Sequence, residues 1–447
     1  MSYFLESSVR EVKEQTGKEG TSLQWIQLGA QIHKSCLFVF VALLVQGATT
    51  FSSGQASFED QDPDPPVLEV FLLTVGPGDA IWEKFGHNAL VFQDSRDDTM
   101  MAYNWGIFDF RQHDFIMRLA KGRMRYSMRG FPALGLIEGY RNQDRTVWSQ
   151  KLNLTPDQKF ELLALVRQMD SESNRYYQYD YYRDNCSTRI RDALDSVLGG
   201  GISIVTKEQE AVNTYRWHTS RLLQSDMLAY LGIQFVVGNS GDMPISIWEE
   251  MFLPLLLKEH LQSVSNQSIS GEDISILAPP EILAESSRDL QEVGRSSFLT
   301  RMLLLGSILG VVLLLSGWGA SEGFIQARWI LIGLGASWSM VTGILGALLL
   351  LSWFLTDHVF WTLNENIFQA NPSSLVLAII LLMSLRKKKY PSVTKMAGIV
   401  AALAILGLIV QVLPGFDQAN GEIIALAFPI HLGLYLGVTW WGSGKTK

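Results

Sequence analysis

Five apolar segments crowd the last third of this chain, at 302–318, 329–355, 367–385, 396–413 and 423–441. At about 17–27 residues each, they suit helices crossing a hydrocarbon core of about 30 Å. The third is marginal, because Asn371-Pro372 interrupts it. The chain has 447 residues, 47% of them hydrophobic and 18% charged. That is too long for one core and too apolar for a purely soluble protein.

Charge divides the chain in the same place. Residues 52–299 hold 23 basic and 35 acidic residues, a net of −12, whereas 300–447 hold 9 basic and 5 acidic. With residue 299 outside, the inner loops carry Arg328, Arg386, Lys387, Lys388, Lys389, Lys395, Lys445 and Lys447, eight of those nine basic residues. The outer loops carry Asp357, Glu365, Asp417 and Glu422. The positive-inside rule therefore predicts a polar domain outside the cytoplasm and a C-terminus inside. The apolar run 36–48, preceded by Arg10, Lys13, Lys18 and Lys34, reads as a signal peptide or signal anchor and sends the next domain the same way.

The expected organisation is a signal segment over 1–56, a linker over 57–66, an exported domain over 67–299 and a membrane domain of about five helices over 300–447. Within the exported domain, 67–74, 88–92 and 100–105 read as strands. Residues 154–169 read as a helix started by Thr155-Pro156-Asp157, and 187–198 as a second helix stopped by Gly199-Gly200-Gly201. Residues 281–295, after Pro279-Pro280, read as a polar helix leading into the membrane. The class is α+β, followed by an α-helical transmembrane bundle. The formal charge of −8 argues against a nucleic-acid partner, and two cysteines exclude a disulfide framework or a cysteine-based zinc site. No metal and no cofactor are expected.

Cys186 carries the chemistry. It sits where a loop enters a helix, among Asp184, Asn185, Ser187 and Thr188. A thiol at a helix start faces unpaired N–H groups and the positive end of the dipole, which favours thiolate. Cys36 lies in the export segment, so Cys186 has no disulfide partner. A thiol nucleophile needs an imidazole. The exported domain offers His87, His113, His218 and His260, and His87 stands at a glycine turn into a strand, a good place to fix a ring. A third polar group should orient that ring. Asn104 on the next strand is the choice, with Glu83 and Asp184 as competitors.

A histidine opening a strand, followed about a hundred residues later by Asn-Cys at the head of a helix, resembles the circularly permuted papain-like fold of the NlpC/P60 or lecithin–retinol acyltransferase type. More closely, Val75-Gly76-Pro77-Gly78-Asp79, Phe85-Gly86-His87-Asn88-Ala89, Tyr103-Asn104-Trp105-Gly106 and the run from Tyr182 to Thr188 around Asn185-Cys186 resemble the Lnb N-terminal periplasmic domain. So does the stretch from Asp357-His358 through Asn364-Glu365-Asn366 to Asn371-Pro372. The ordered set is far more specific than any one motif.

The resemblance implies bacterial lipoprotein N-acylation at the cytoplasmic membrane, with the catalytic domain in the periplasm and Cys186 and His87 as the catalytic pair. Lipidated lipoproteins and membrane phospholipids are the implied partners, and either supplies the acyl group. Asn185 is expected to help hold an oxyanion beside the backbone N–H groups of the helix start. His358, Asn364 and Asn366, on the outer side of the bundle, read either as a ledge that binds a lipid headgroup or the lipoprotein, or as a polar loop capping two helices. The alternative is a membrane-anchored papain-like hydrolase, a peptidase, amidase or lipid esterase, since the same dyad serves both and only the acceptor differs.

Overall fold

The first strand has the sequence Leu-Glu-Val-Phe-Leu-Leu-Thr-Val and is buried on both sides, so it must lie inside a sheet covered twice. The structure, a computed structural model, describes residues 67–108, 114–267, 271–288, 294–386 and 391–443. The export segment at 36–48, the linker, His113 and the lysines at 387–389, 445 and 447 lie outside the described residues.

In chain order the elements are β1 (Leu68–Val75), β2 (His87–Asp94), β3 (Thr99–Ile107), α1 (Phe115–Ala120), β4 (Arg125–Pro132), α2 (Ala133–Asn142) and β5 (Val147–Lys151). Then come α3 (Pro156–Met169), β6 (Tyr176–Gln178), α4 (Cys186–Val197), α5 (Gly201–Thr206), α6 (Tyr215–Leu223) and α7 (Met227–Val236). The domain closes with α8 (Ile247–Glu250), α9 (Pro254–Leu261), β7 (Ser265–Gln267), β8 (Asp273–Ser275) and β9 (Glu281–Ala284). Seven strands form one antiparallel sheet in the order β6-β4-β3-β2-β1-β5-β9.

Alternation along the strands sorts the two faces. Leu68, Val70, Leu72, Leu90, Phe92, Tyr103 and Trp105 pack toward α3, α4 and α9. Leu73, Val75, Ala89, Val91 and Ala102 pack toward Ala133 and Tyr140 of α2. Helix α3 starts where Thr155-Pro156 predicts, with a capping box between Thr155 and Gln158 and proline in the first turn.

One expected helix is a strand. Residues 281–284 form β9 and pair with β5, Ser149 opposite Glu281 and Val147 opposite Ala284. Pro279-Pro280 delivers an extended chain, and the unpaired edge of β5 captures it before helix propensity acts.

Among the described residues, five helices or helix-containing segments after the sheet are long and apolar enough to cross a membrane. They are α10 (Leu299–Ser321), α11 (Ile325–Leu355), the segment Glu365–Met383 containing α12 (Ser373–Met383), α13 (Pro391–Val410) and α14 (Gly421–Ser443). The third is broken as the Asn371-Pro372 pair leads one to expect: a single turn at Glu365–Phe368 precedes α12. Helices α10 and α14 meet backbone to backbone. A Cβ on Gly317 would lie 2.1 Å from the Gly437 carbonyl oxygen, and one on Gly433 would lie 2.1 Å from that of Gly310. Small residues let apolar helices approach this closely, and dispersion contact replaces the hydrophobic drive that lipid cannot supply.

Both parts belong to one compact unit, Leu68–Lys447, and they are joined by buried polar contacts. The last carbonyls of α7 have no intrahelical donors. Asn366 Nδ2 donates to the carbonyls of Gln234 and Phe235, and Asn364 Nδ2 to those of Phe235 and Val236, all at 2.9 Å. Arg216, fully buried, bridges Asp242 and the carbonyls of Val237 and Gly238. Gly238 lies so close to the Thr362 carbonyl, 2.3 Å from where a Cβ would sit, that only glycine fits there.

Candidate active site

Three pieces of chain converge on Cys186. The first is the turn from β1 to β2. Gly86 has φ of +79°, and a Cβ there would press on the Val75 carbonyl, so glycine permits the sharp entry that puts His87 at the first position of β2. The second is β3, which pairs with β2 through Ala89 opposite Asn104. His87 and Asn104 thus lie on the same face, diagonal neighbours on adjacent strands. The strand then bulges between Asn104 and Ile107, with Gly106 at φ +85° beside the Cys186 Cβ. The third is the start of α4.

His87 Nε2 bonds Asn104 Oδ1. A carbonyl oxygen only accepts, so Nε2 carries the proton and Nδ1 is the nitrogen left for the thiol. Glu83 and Asp184, the competitors for this position, are engaged elsewhere. Glu83 accepts from the Ala80 N–H in its own turn, and Asp184 forms a two-point ion pair with Arg189. His218 and His260 both bond Glu250, at 2.7 and 2.8 Å.

The Cys186 thiol is partly buried and forms no disulfide among the described residues. Burial by itself pushes the thiol up. The charge of the nearby His87 ring and hydrogen bonds with His87, the Asn88 N–H and Ser187 outweigh it, so the thiol ionises below its ordinary range. Asn88 ties the sheet to the helix start: its Oδ1 accepts from Ser187 Oγ at 2.8 Å while its Nδ2 donates to Thr74 Oγ1 at 2.9 Å.

Asn185 does not fill its expected oxyanion role. It is the N-cap of α4, and its Oδ1 accepts from the N–H groups of Ser187 and Thr188. Its Nδ2 is spent on the carbonyls of Tyr181 and Phe252, both at 3.0 Å. A buried cap with both amide hydrogens used has no donor for a substrate. The capping box also occupies the Asn185 N–H through Thr188 Oγ1. Of the first donors of α4, the N–H of Cys186 itself is the one left for an oxyanion.

The ledge residues are likewise turned inward. His358 is buried, its Nε2 donates to the Leu119 carbonyl at 2.9 Å, and its ring stacks on Trp361 at 3.8 Å. Burial lowers its pKa, so the neutral ring is favoured. Asn364 and Asn366 cap α7 as described. The expectation that these three hold headgroups gives way to a role in joining the two parts, because their donors are already used.

Sequence reasoning missed Tyr140 and Arg145. The Tyr140 ring lies 6.2 Å from that of His87, and burial pushes its phenol up. Arg145 lies over Tyr140 at 5.2 Å, donates from Nε to the Gly76 carbonyl, and is itself buried. They lie 53 or more residues from His87 on α2 and the turn after it, with no motif to flag them. An aromatic wall also flanks the thiol: Tyr126 stacks on Tyr179 at 4.1 Å, and burial raises the phenols of Tyr177 and Tyr179, with the Cys186 charge adding to it.

Two family descriptions match the chain. The Lnb N-terminal periplasmic domain matches residues 55–225, and the Lnb transmembrane domain matches residues 294–419. No curated protein and no solved structure matches it. A periplasmic domain followed, among the described residues, by five helices long and apolar enough to cross a membrane makes this a multi-pass protein of the inner membrane.

Proposed function

The chain belongs to the Lnb family, and on that premise we propose that it is a thiol-dependent acyltransferase that moves an acyl chain to the α-amino group of the lipidated N-terminal cysteine of lipoproteins. The observation that carries the reading is Cys186 at the head of α4, with its thiol drawn down by a His87 ring that Asn104 holds.

His87 Nδ1 takes the thiol proton, and the sulfur attacks the carbonyl carbon of a lipid ester. The Cys186 N–H and the dipole of α4 stabilise the oxyanion. As the tetrahedral adduct collapses, the C–O bond breaks and the alkoxide leaves with the proton from His87, giving a thioester and a deacylated lipid hydroxyl. The α-amine then attacks the thioester, His87 takes its proton, the C–S bond breaks, and the thiolate is regenerated with an amide as product. A thioester acylates an amine in preference to water when water is kept out. The membrane helices concentrate lipid ester and lipoprotein at one surface.

The test is mass spectrometry of lipoprotein N-terminal peptides from cells carrying the wild-type chain or Cys186→Ser, with isotope-labelled phospholipid to identify the donor. The reading requires N-acylated peptides with the wild type and their loss with the variant. Release of free fatty acid with no N-acylation would favour the hydrolase instead.

A further inference from the structure

Helix α1 is anomalous for a soluble surface. None of its residues is buried, and Ile116 and Met117 are 80% and 55% exposed. Exposed apolar side chains this dense usually mark a surface that something covers.

Its position identifies what covers it. Helix α11 ends at Leu355, with Phe354 and Leu355 76% and 61% exposed, as expected of side chains facing lipid. Two residues later the chain is bonded to the segment that carries α1. The Asp357 N–H donates to the Lys121 carbonyl at 2.8 Å, Arg123 pairs with Asp357 at 2.7 Å, and His358 holds the Leu119 carbonyl. Gly122, at φ +70°, packs within 3.0 Å of the His358 backbone where a side chain would begin. Two extended residues span only about 7 Å, so α1 is fixed at the depth of the outer end of a membrane helix. Arg118 and Lys121 on the same stretch are exposed and have no ion-pair partner among the described residues.

We propose that α1 is a membrane-dipping lip: Ile116 and Met117 insert into the outer leaflet beside α11, while Arg118 and Lys121 meet lipid phosphates. Apolar side chains beside basic ones at a fixed interfacial depth are the pattern of an interfacial segment. The inference holds whether or not Cys186 transfers acyl chains.

The opposite end of the sheet supplies the control. Asp97 lies in the turn from β2 to β3, one strand length of about 25 Å from the end that carries His87. The full chain, with Cys36→Ser and Cys186→Ser, is given one new cysteine by Ile116→Cys, Met117→Cys or Asp97→Cys. Each is labelled with an environment-sensitive fluorophore and placed in nanodiscs of phosphatidylethanolamine and phosphatidylglycerol. At positions 116 and 117 a doxyl-labelled lipid should quench several-fold more than at 97, and iodide several-fold less. Iodide quenching equal to that at 97 would overturn the proposal, since α1 would then face water. Protection from both quenchers would also overturn it, since protein rather than lipid would cover the helix. Two lip positions keep the test intact should one variant fail to fold.

Discussion

Asn104 accepts a hydrogen bond from His87 Nε2 across adjacent antiparallel strands, although 17 residues separate them in the chain. The contact fixes both the tautomer and the ring plane. On the proposed mechanism, Asn104 is a positioning residue that acts on the thiol through the imidazole. Asn104→Ala should therefore lower kcat by about ten- to a hundredfold with little change in KM, the loss of one such contact being about 1–3 kcal/mol. Asn104→Asp should restore part of the rate, since a carboxylate oxygen accepts the same bond. A change confined to KM would remove the positioning role.

The thiol supplies a second prediction. Its ordinary value is 9.0, and the folded protein holds it lower. Burial opposes this, and His87 is the strongest influence in the other direction. With His87→Ala only burial and the lesser hydrogen bonds remain, so the inflection in the pH profile of iodoacetamide alkylation should move up. An unchanged profile would mean that His87 does not act on Cys186.

A third concerns pH and stability away from the site. Burial alone would raise the Glu250 carboxyl, but hydrogen bonds from His218 and His260 hold it down to about 2. A carboxyl depressed below its ordinary 4.5 contributes stability that is fully present above that value and is lost as pH falls toward 2. Glu250→Gln should lower the unfolding temperature of detergent-solubilised protein at pH 7, and the gap from wild type should narrow between pH 4.5 and pH 2. A gap independent of pH would assign the loss to packing alone.

What the chain disclosed in advance follows from where each signal resides. The membrane helices, the start of α3 and the Asn185-Cys186 boundary were legible because hydrophobic length, capping residues and helix ends are local. The strand at 281–284 was not, because its conformation is set by the free edge of β5, more than a hundred residues earlier. Cys186, His87 and Asn104 were each found from local context, and the structure brings them together. Tyr140 and Arg145 could not be found, since tertiary contact alone brings them near His87. Asn185, His358, Asn364 and Asn366 stood out for the right reason, as polar groups in special places. A sequence does not show which way an amide points, and here each points into the protein.

That orientation leads to the last prediction. If Asn364 held a headgroup, its loss would reduce turnover and leave the fold alone. The structure instead gives its Nδ2 to two carbonyls at the end of α7, and its Oδ1 accepts from the Asn366 N–H and from Gln418 Nε2. Removing the amide strands buried acceptors at about 1–3 kcal/mol each. Asn364→Ala should accordingly lower the unfolding temperature by several degrees, and Asn366→Ala should do the same. The pair together should lose less than the sum of the two, because both serve the Phe235 carbonyl. At a temperature where the variants remain folded, Cys186 should react with a small thiol reagent at the wild-type rate. Wild-type stability with depressed acyl transfer would reverse this assignment and return Asn364 to the substrate.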